Sequence, residues 1–338
     1  MTMRSLCYVA PGRVEWREIA APGLEGDLEA IVTPVAASRC DFDRQLARGL
    51  SPYPGPFAIG HEAVARVVEV GDHVRRVRRG DVVVVVPNIS CGRCNRCQRG
   101  LTAHCYETPP GACYGIPAGG TWGGLFDDLI RVPFADSMLT VVPEHVEPLE
   151  VAAAGDSLGL GHGIMAGHLQ AGRRRVAVFG CGAHGLYQVA FAVGLGAESV
   201  LYVDDDPDRR DLASDLGARA VAGPPSRTDG PFDLIVDASA DETWLRRATR
   251  MLEPEGVIEC LGGYFGDIRL PGFPMYGGGV NIRFGIGNTA PHVQPTIDAV
   301  ARRMVLPSTL WAEQVAWEDV PTAYADGSRK IFATRPAT

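Results

Sequence analysis

The sequence lacks a basic excess, a long hydrophobic run and any low-complexity tract. Its 32 Lys and Arg residues are outnumbered by 40 Asp and Glu, which leaves a formal net charge of −8 at pH 7. That balance argues against nucleic acid as a partner, because such binding rests on basic surfaces that neutralise phosphates. The longest purely apolar run, VVVVVP at 82–87, is strand-sized and far short of the ~20 residues of a membrane span. The start, MTMRSLCYVAPGRVEW, holds no apolar core of signal-peptide length, so a cytoplasmic location is expected. Nine cysteines, an odd number with four crowded into 91–105, fit metal binding in a reducing compartment better than a disulfide framework.

At 338 residues the chain exceeds the usual single-domain size, and two domains are expected. The 41 glycines then mark turns and strand–helix junctions rather than disorder. Over the first 150 residues the apolar runs are short: EAIVTPVA (29–36), EAVARVVEVG (62–71) and DVVVVVP (81–87) read as strands of an irregular antiparallel structure. From about residue 172 the rhythm changes. RVAVFG (175–180), SVLYVD (199–204), FDLIVDAS (232–239) and GVIECLGG (256–263) read as strands. Helical stretches separate them; in the first, Leu186, Val189, Ala190 and Val193 share one face, and DPDRRDLASDLGA (206–218) and DETWLRRATRMLEP (241–254) follow. Strands alternating with helices imply a doubly wound parallel sheet. VNIRFGIG (280–287) reads as its last strand, and the final 45 residues are expected to rejoin the first domain.

GCGAHG at 180–185 fits G-x-G-x-x-G, a weak pattern alone but here set directly after RVAVF and ahead of a helix. Gly180 permits the tight turn, Gly182 lets backbone approach a pyrophosphate, and Gly185 allows close helix–strand packing. Ala183 lies in the same turn, and His184 either approaches the pyrophosphate or faces solvent. The helix N-terminus offers unpaired amides to the phosphates. Asp204 ends the next strand, where it would accept the adenosine ribose hydroxyls and repel a 2′-phosphate, so NAD is expected over NADP. Arg209 and Arg210 point the other way, since a nearby arginine tolerates that phosphate.

CGRCNRCQRGLTAHC places Cys91, Cys94, Cys97 and Cys105 at C-x2-C-x2-C-x7-C, four thiolates able to close a tetrahedron around a structural zinc. An iron–sulfur cluster is the competing reading. The lack of a proline after the fourth cysteine and the nearby dinucleotide motif favour zinc. Arg93, Arg96 and Arg99 would support the bound thiolates. A second set is dispersed: Cys40 in SRCDFDRQ, His61 and Glu62 in GHE, and Asp156 in AAAGDSLGLGHG. Each alone reads as well as an ordinary buried residue; three ligands and an open position are what a catalytic zinc requires.

These pieces, with the GDHV–GD turn at 71–81, resemble the zinc-containing medium-chain dehydrogenases/reductases in order and spacing over nearly the whole chain. The resemblance implies an α/β fold: a GroES-like irregular β-barrel catalytic domain at 1–156 and 293–338, and a Rossmann NAD-binding domain at 157–292, with the active site in the cleft. It implies two zinc ions. Cys40, His61 and Asp156 match the catalytic ligands, and Asp43 the carboxylate that orients the ligand histidine. Glu62 matches a glutamate that in some members binds zinc directly. Zn²⁺ with the Cys40 thiolate, neutral His61 and Asp156 sums to zero charge, so Glu62 is expected on the metal only when the substrate position is empty. The implied partners are a small-molecule substrate and further copies of the chain, as homodimer or homotetramer through the 280–287 edge. No membrane is implied.

One position departs from the family. Phe42 stands where the resemblance expects the Ser or Thr that passes the alcohol proton, and Gln45 where one branch extends that relay with His. A phenyl ring neither donates nor accepts a proton. Either Ser157, His162 or water carries the proton while Phe42 and Ile89 line an apolar pocket, with Trp122 either there or in the core; or the substrate is an imine, iminium or enone that needs no alkoxide protonation; or the enzyme is impaired. The resulting expectation is a zinc- and NAD-dependent dehydrogenase of a secondary alcohol, polyol or cyclic metabolite. An imine or enone reductase and a non-catalytic zinc-binding interaction module are the alternatives, and an intact glycine loop argues against the module.

Overall fold

The computed structural model describes residues 1–50, 52–327 and 329–336. The chain divides into two compact units, Met1–Leu160 with Gly287–Thr338, and Gly161–Ile286. The boundaries thus fall at 160/161 and 286/287, a few residues from the 156/157 and 292/293 that the sequence suggested.

The first unit is built on a seven-stranded sheet and a three-stranded one. In the larger sheet Ala30–Ser38 pairs antiparallel with Glu62–Val70, which pairs with Val82–Val85 in turn. Their apolar residues meet in one core with Leu6, Leu125, Phe126, Trp317 and Tyr324. The chain's tail returns to this sheet: Lys330–Thr334 pairs antiparallel with Ala30–Ser38, Phe332 opposite Ser38. Arg39, buried just past that strand, fixes the same tail. Its guanidinium donates to the carbonyls of Ala323 (3.0 Å), Tyr324 (2.7 Å), Gly327 (3.0 Å) and Arg329 (2.5 Å).

The second unit is a six-stranded sheet in which every neighbouring pair is parallel. Arg175–Phe179 is central, with Ser199–Val203 on one side and Phe232–Asp237 on the other. Chain order therefore reverses beside Phe179, the switch point where open α/β sheets bind ligands at their strand C-termini. Arg175–Phe179, Ser199–Val203 and Phe232–Asp237 are near-continuous apolar runs because both faces of the sheet are covered there. Two expected elements shift. The helix predicted over 241–254 is confined to Glu242–Ala248, and the next strand begins at Leu252 rather than 256. Thr249 to Met251 turn, and the polar LEPE segment extends the strand because Phe232 pairs with Leu252. Among the described residues no helix is long and apolar enough to cross a membrane.

Candidate active site and metal centres

Strand register brings the dispersed residues together. Ser38 is opposite Glu62, so Cys40 just past one strand and His61 just before its neighbour lie side by side. Gly60 makes that approach possible: its φ is +102°, and a Cβ there would meet the Phe126 ring at 2.5 Å. Asp156 arrives from far along the chain because Gly155 packs directly on the strand, where a Cβ would stand 2.2 Å from the Val85 carbonyl oxygen. One donor atom each from Cys40, His61 and Asp156 falls within 4.8 Å of the others.

His61 is oriented from behind. Its Nδ1 is 3.0 Å from Asp43 Oδ1, and Tyr324 donates its hydroxyl to Asp43 Oδ2 at 2.7 Å. A proton on Nδ1, beside the Asp43 carboxylate, leaves Nε2 to present its lone pair, 3.3 Å from Asp156 Oδ2. The electrostatics of this cluster call for a cation. Burial pushes the Cys40 thiol up to about 12, with Asp156 adding to the shift. Burial disfavours a charged His61, yet the carboxylates of Asp43 and Asp156 outweigh it and hold its pKa well above the usual imidazole range. A divalent ion among the three donors stabilises the thiolate and satisfies both carboxylates. The donor set of one sulfur, one imidazole nitrogen and one carboxylate suits zinc with a position left open.

Glu62 is not part of this cluster. Its carboxylate is fully buried and pulled to the other side by an ion pair with Lys330 (2.5 Å) and a hydrogen bond from Ser38 Oγ (2.6 Å) on Oε2. The hydroxyl and backbone amide of Ser157 donate to Oε1. Both Glu62 oxygens are held in this geometry, which disfavours the expected intermittent role as a metal ligand. Ser157 is equally committed: it donates to Glu62 and accepts from Lys330 Nζ at 3.2 Å. His162 belongs to the second unit, where it packs edge-on against Phe191 at 5.3 Å.

The cysteine loop gathers Cys91, Cys94, Cys97 and Cys105 with sulfurs within 4.8 Å of one another. Backbone amides point at the sulfurs: Cys91 N–H to Cys105, Cys94 N–H to Cys91 and Glu107 N–H to Cys105 at 3.4 Å, and Cys97 N–H to Cys94 at 3.5 Å. The Tyr106 and Cys97 amides lower the Cys94 thiol to about 6, while burial raises Cys91 and Cys97. A tetrahedron of Zn–S bonds has sulfurs about 3.8 Å apart, so the four fit a closed zinc site after slight contraction. Arg96 does not face the thiolates as expected. It stacks 3.8 Å over the Tyr106 ring and donates to the His104 carbonyl.

In the second unit the glycine loop leads from Arg175–Phe179 into the helix Gly182–Gly194. Gly180 and Gly182 take φ of +48° and +64°, and a Cβ on Gly185 would stand 2.1 Å from the Gly180 carbonyl oxygen. This tight cradle at a helix N-terminus fits a dinucleotide pyrophosphate. Ala183 is buried in the first helical turn, and His184 is half-buried beside it. Asp204 lies at the C-terminal end of the neighbouring strand, but its carboxylate is not open as the sequence suggested: Tyr202, Arg209 and the Asp206 amide already donate to it.

Residues 26–144 match the alcohol dehydrogenase GroES-like domain family. The chain is similar to "Zinc-type alcohol dehydrogenase B" of Aspergillus flavus, 27% identical over 300 residues that cover 84% of this chain and 69% of the relative. It is 30% identical over 266 residues to a "Probable zinc-binding alcohol dehydrogenase" of Mycobacterium tuberculosis, covering 77% and 68%. The chain belongs to the zinc-type alcohol dehydrogenases of the medium-chain dehydrogenase/reductase family. Among solved structures, an alcohol dehydrogenase from Thermus sp. ATN1 superposes with a TM-score of 0.88 at 28% identity, covering 98% of this chain and 99% of that one. The protein is accordingly an oxidoreductase of the zinc- and NAD(P)-dependent class.

Within that family frame, three residues of the site escaped the sequence reading. Lys330 carries a signal that was available, since it is the only lysine in the chain and yet is 1% exposed. Tyr324 and Ser38 carried none, because their partners stand 281 and 24 residues away. The expected apolar residues of the substrate pocket separate. Ile89 is buried in the core. Trp122 lines a cavity of about 390 Å³ with Cys7, Arg17, Phe57 and Ile116, whose walls hold none of the metal-cluster residues. Phe42 is half-buried against the core of the first unit. Since Tyr324 steadies Asp43, Tyr324→Phe is expected to weaken zinc at the Cys40 cluster by about tenfold, as supporting groups of metal ligands do. Competition with a chromogenic chelator measures this, and the Cys91–Cys105 loop should be unaffected.

Proposed function

We propose that the protein moves a hydride reversibly between a nicotinamide dinucleotide and a secondary alcohol or ketone, preferably a cyclic or bulky apolar one. The convergence of Cys40, His61 and Asp156, with His61 held by Asp43 and Tyr324, carries this reading. A zinc ion on those three residues supplies Lewis-acid polarisation of the reacting carbon–oxygen group. Cys40 and Asp156 balance the ion's charge, and His61 fixes its position through the Asp43 contact. Lys330, Ser157 and Ser38 keep the Glu62 carboxylate off the open position. Gly180–Gly185 would hold the dinucleotide pyrophosphate, whose nicotinamide supplies or accepts the hydride. The proton passes through water, because Phe42 carries no exchangeable hydrogen and Ser157 is committed to Glu62. For assembly, the strand Asn281–Phe284 ends its sheet, and exposed Phe284 and Ile286 favour a dimer through that edge.

Absorbance at 340 nm with a panel of alcohols and ketones tests the reaction. Phe42→Ser is expected to lower kcat/KM for cyclic apolar alcohols about tenfold, through lost apolar contact, and to affect small alcohols less. Phe42 also favours a second reading, reduction of an imine or enone. In that case the wild type oxidises no alcohol, and Phe42→Ser gains the activity.

A further inference from the structure

The three-stranded sheet of the first unit has a polar face that the core does not use. In Thr2–Ala10, Leu6 and Tyr8 turn into the core, so Ser5 and Cys7 turn the other way, at the two-residue period of a strand. Pairing with Arg13–Ala20 sets Arg17 opposite Ser5, and pairing with Phe57–Ala58 sets Ala58 opposite Cys7. The loop from Ile116 to Gly123 roofs this face. Gly120 and Gly123 bend it with φ of +119° and +86°, and Trp122 Nε1 donates to the Gly119 carbonyl at 3.0 Å. Between floor and roof lies the cavity of about 390 Å³, within the usual size of a small-molecule site.

Phe57, Ile116 and Trp122 make the walls apolar. Ser5 Oγ and Cys7 Sγ, 3.6 Å apart, give a polar floor, and burial raises the Cys7 thiol and keeps it neutral. Among the described residues, Arg17 is the only charged one that lines the cavity. Its Nε donates to Glu15 Oε1 at 2.8 Å, while Arg13 holds the other Glu15 oxygen. The two terminal nitrogens of Arg17 have no partner among the described residues, and two arginines on one glutamate leave a net positive charge there. Asp127, 2% exposed behind Gly123, opposes an anion only when ionised, and burial pushes its pKa up to about 7. We propose that this cavity is a second small-molecule site, for a compact aromatic or alicyclic carboxylate. The ring packs on Phe57, Ile116 and Trp122, and the carboxylate takes the free edge of Arg17, whose planar fork matches it. The site is separate from the reacting position, because none of Cys40, His61 and Asp156 lines it.

Fluorine NMR of para-fluorobenzoate and para-fluorobenzamide with the zinc-loaded full chain tests this, at about pH 6 where Asp127 is mostly neutral. The acid should bind with a dissociation constant below about 1 mM, and at least about tenfold more tightly than the amide. Arg17→Met, which keeps an apolar stem, should bring the two within about twofold. Ala58→Phe, which fills the cavity, should weaken both at least about tenfold. Trp122→Ala covers the case in which the filled variant folds poorly, and should weaken both about fivefold through the lost aromatic wall. His61→Ala should still bind the acid within about twofold, as independent sites do. Equal binding of acid and amide to the wild type overturns the inference, as does an Arg17→Met variant with an unchanged ratio. Loss of the acid in His61→Ala would place the carboxylate on the metal and overturn it as well, and so would failure of both probes to bind.

Discussion

Lys330→Ala is expected to destabilise the first unit by about 3–5 kcal/mol, the range for removing one partner of a buried ion pair. Lys330 and Glu62 are 1% and 0% exposed, 2.5 Å apart, with Ser157 bridging them. The alanine leaves the Glu62 carboxylate buried without its counter-charge. Replacing both charges by residues of similar shape removes that penalty, so Lys330→Met with Glu62→Gln should recover most of the loss. Urea unfolding of Lys330→Met, Glu62→Gln and the double variant yields the coupling directly. A coupling near zero would show that the pair contributes nothing. The surviving Lys330→Ala enzyme should also turn over slowly, because a released Glu62 competes for the open metal position.

His61→Ala is expected to lower kcat/KM by about a thousandfold or more. Loss of the Lewis acid forfeits several kcal/mol of transition-state stabilisation, and each 1.36 kcal/mol is about tenfold in rate. NADH binding should stay within about twofold, since the glycine loop belongs to the other unit. A variant retaining most of its activity would remove His61 from the chemistry.

The parts of this protein legible in its sequence are those encoded locally. Alternating and continuous apolar runs placed Ala30–Ser38, Glu62–Val70 and three strands of the parallel sheet, Arg175–Phe179, Ser199–Val203 and Phe232–Asp237, to within a residue or two. The C-x2-C-x2-C-x7-C spacing located the cysteine loop for the same reason, since four sulfurs within 15 positions need no distant partner. Cys40, His61 and Asp156 are different. Only resemblance joined them before the strand register explained their meeting. The supporting groups lay beyond both routes: Tyr324 reaches Asp43 because Arg39 staples the C-terminal segment, a contact across some 280 residues. Asp204 failed for another reason. The residues that saturate it, Tyr202 and Arg209, are its own neighbours, but a motif assigns the acid to the ribose without asking what else it touches. A single lysine among 32 basic residues, buried beside the metal cluster, was the one global signal left unread.

Zinc content per chain, measured by plasma mass spectrometry on wild type and His61→Ala, tests the central claim most directly. Two separate sites predict two zinc ions in the wild type and one in the variant, with the remaining ion lost only when the Cys91–Cys105 loop is also altered. One zinc in the wild type, or two retained in His61→Ala, would contradict a catalytic metal on Cys40, His61 and Asp156.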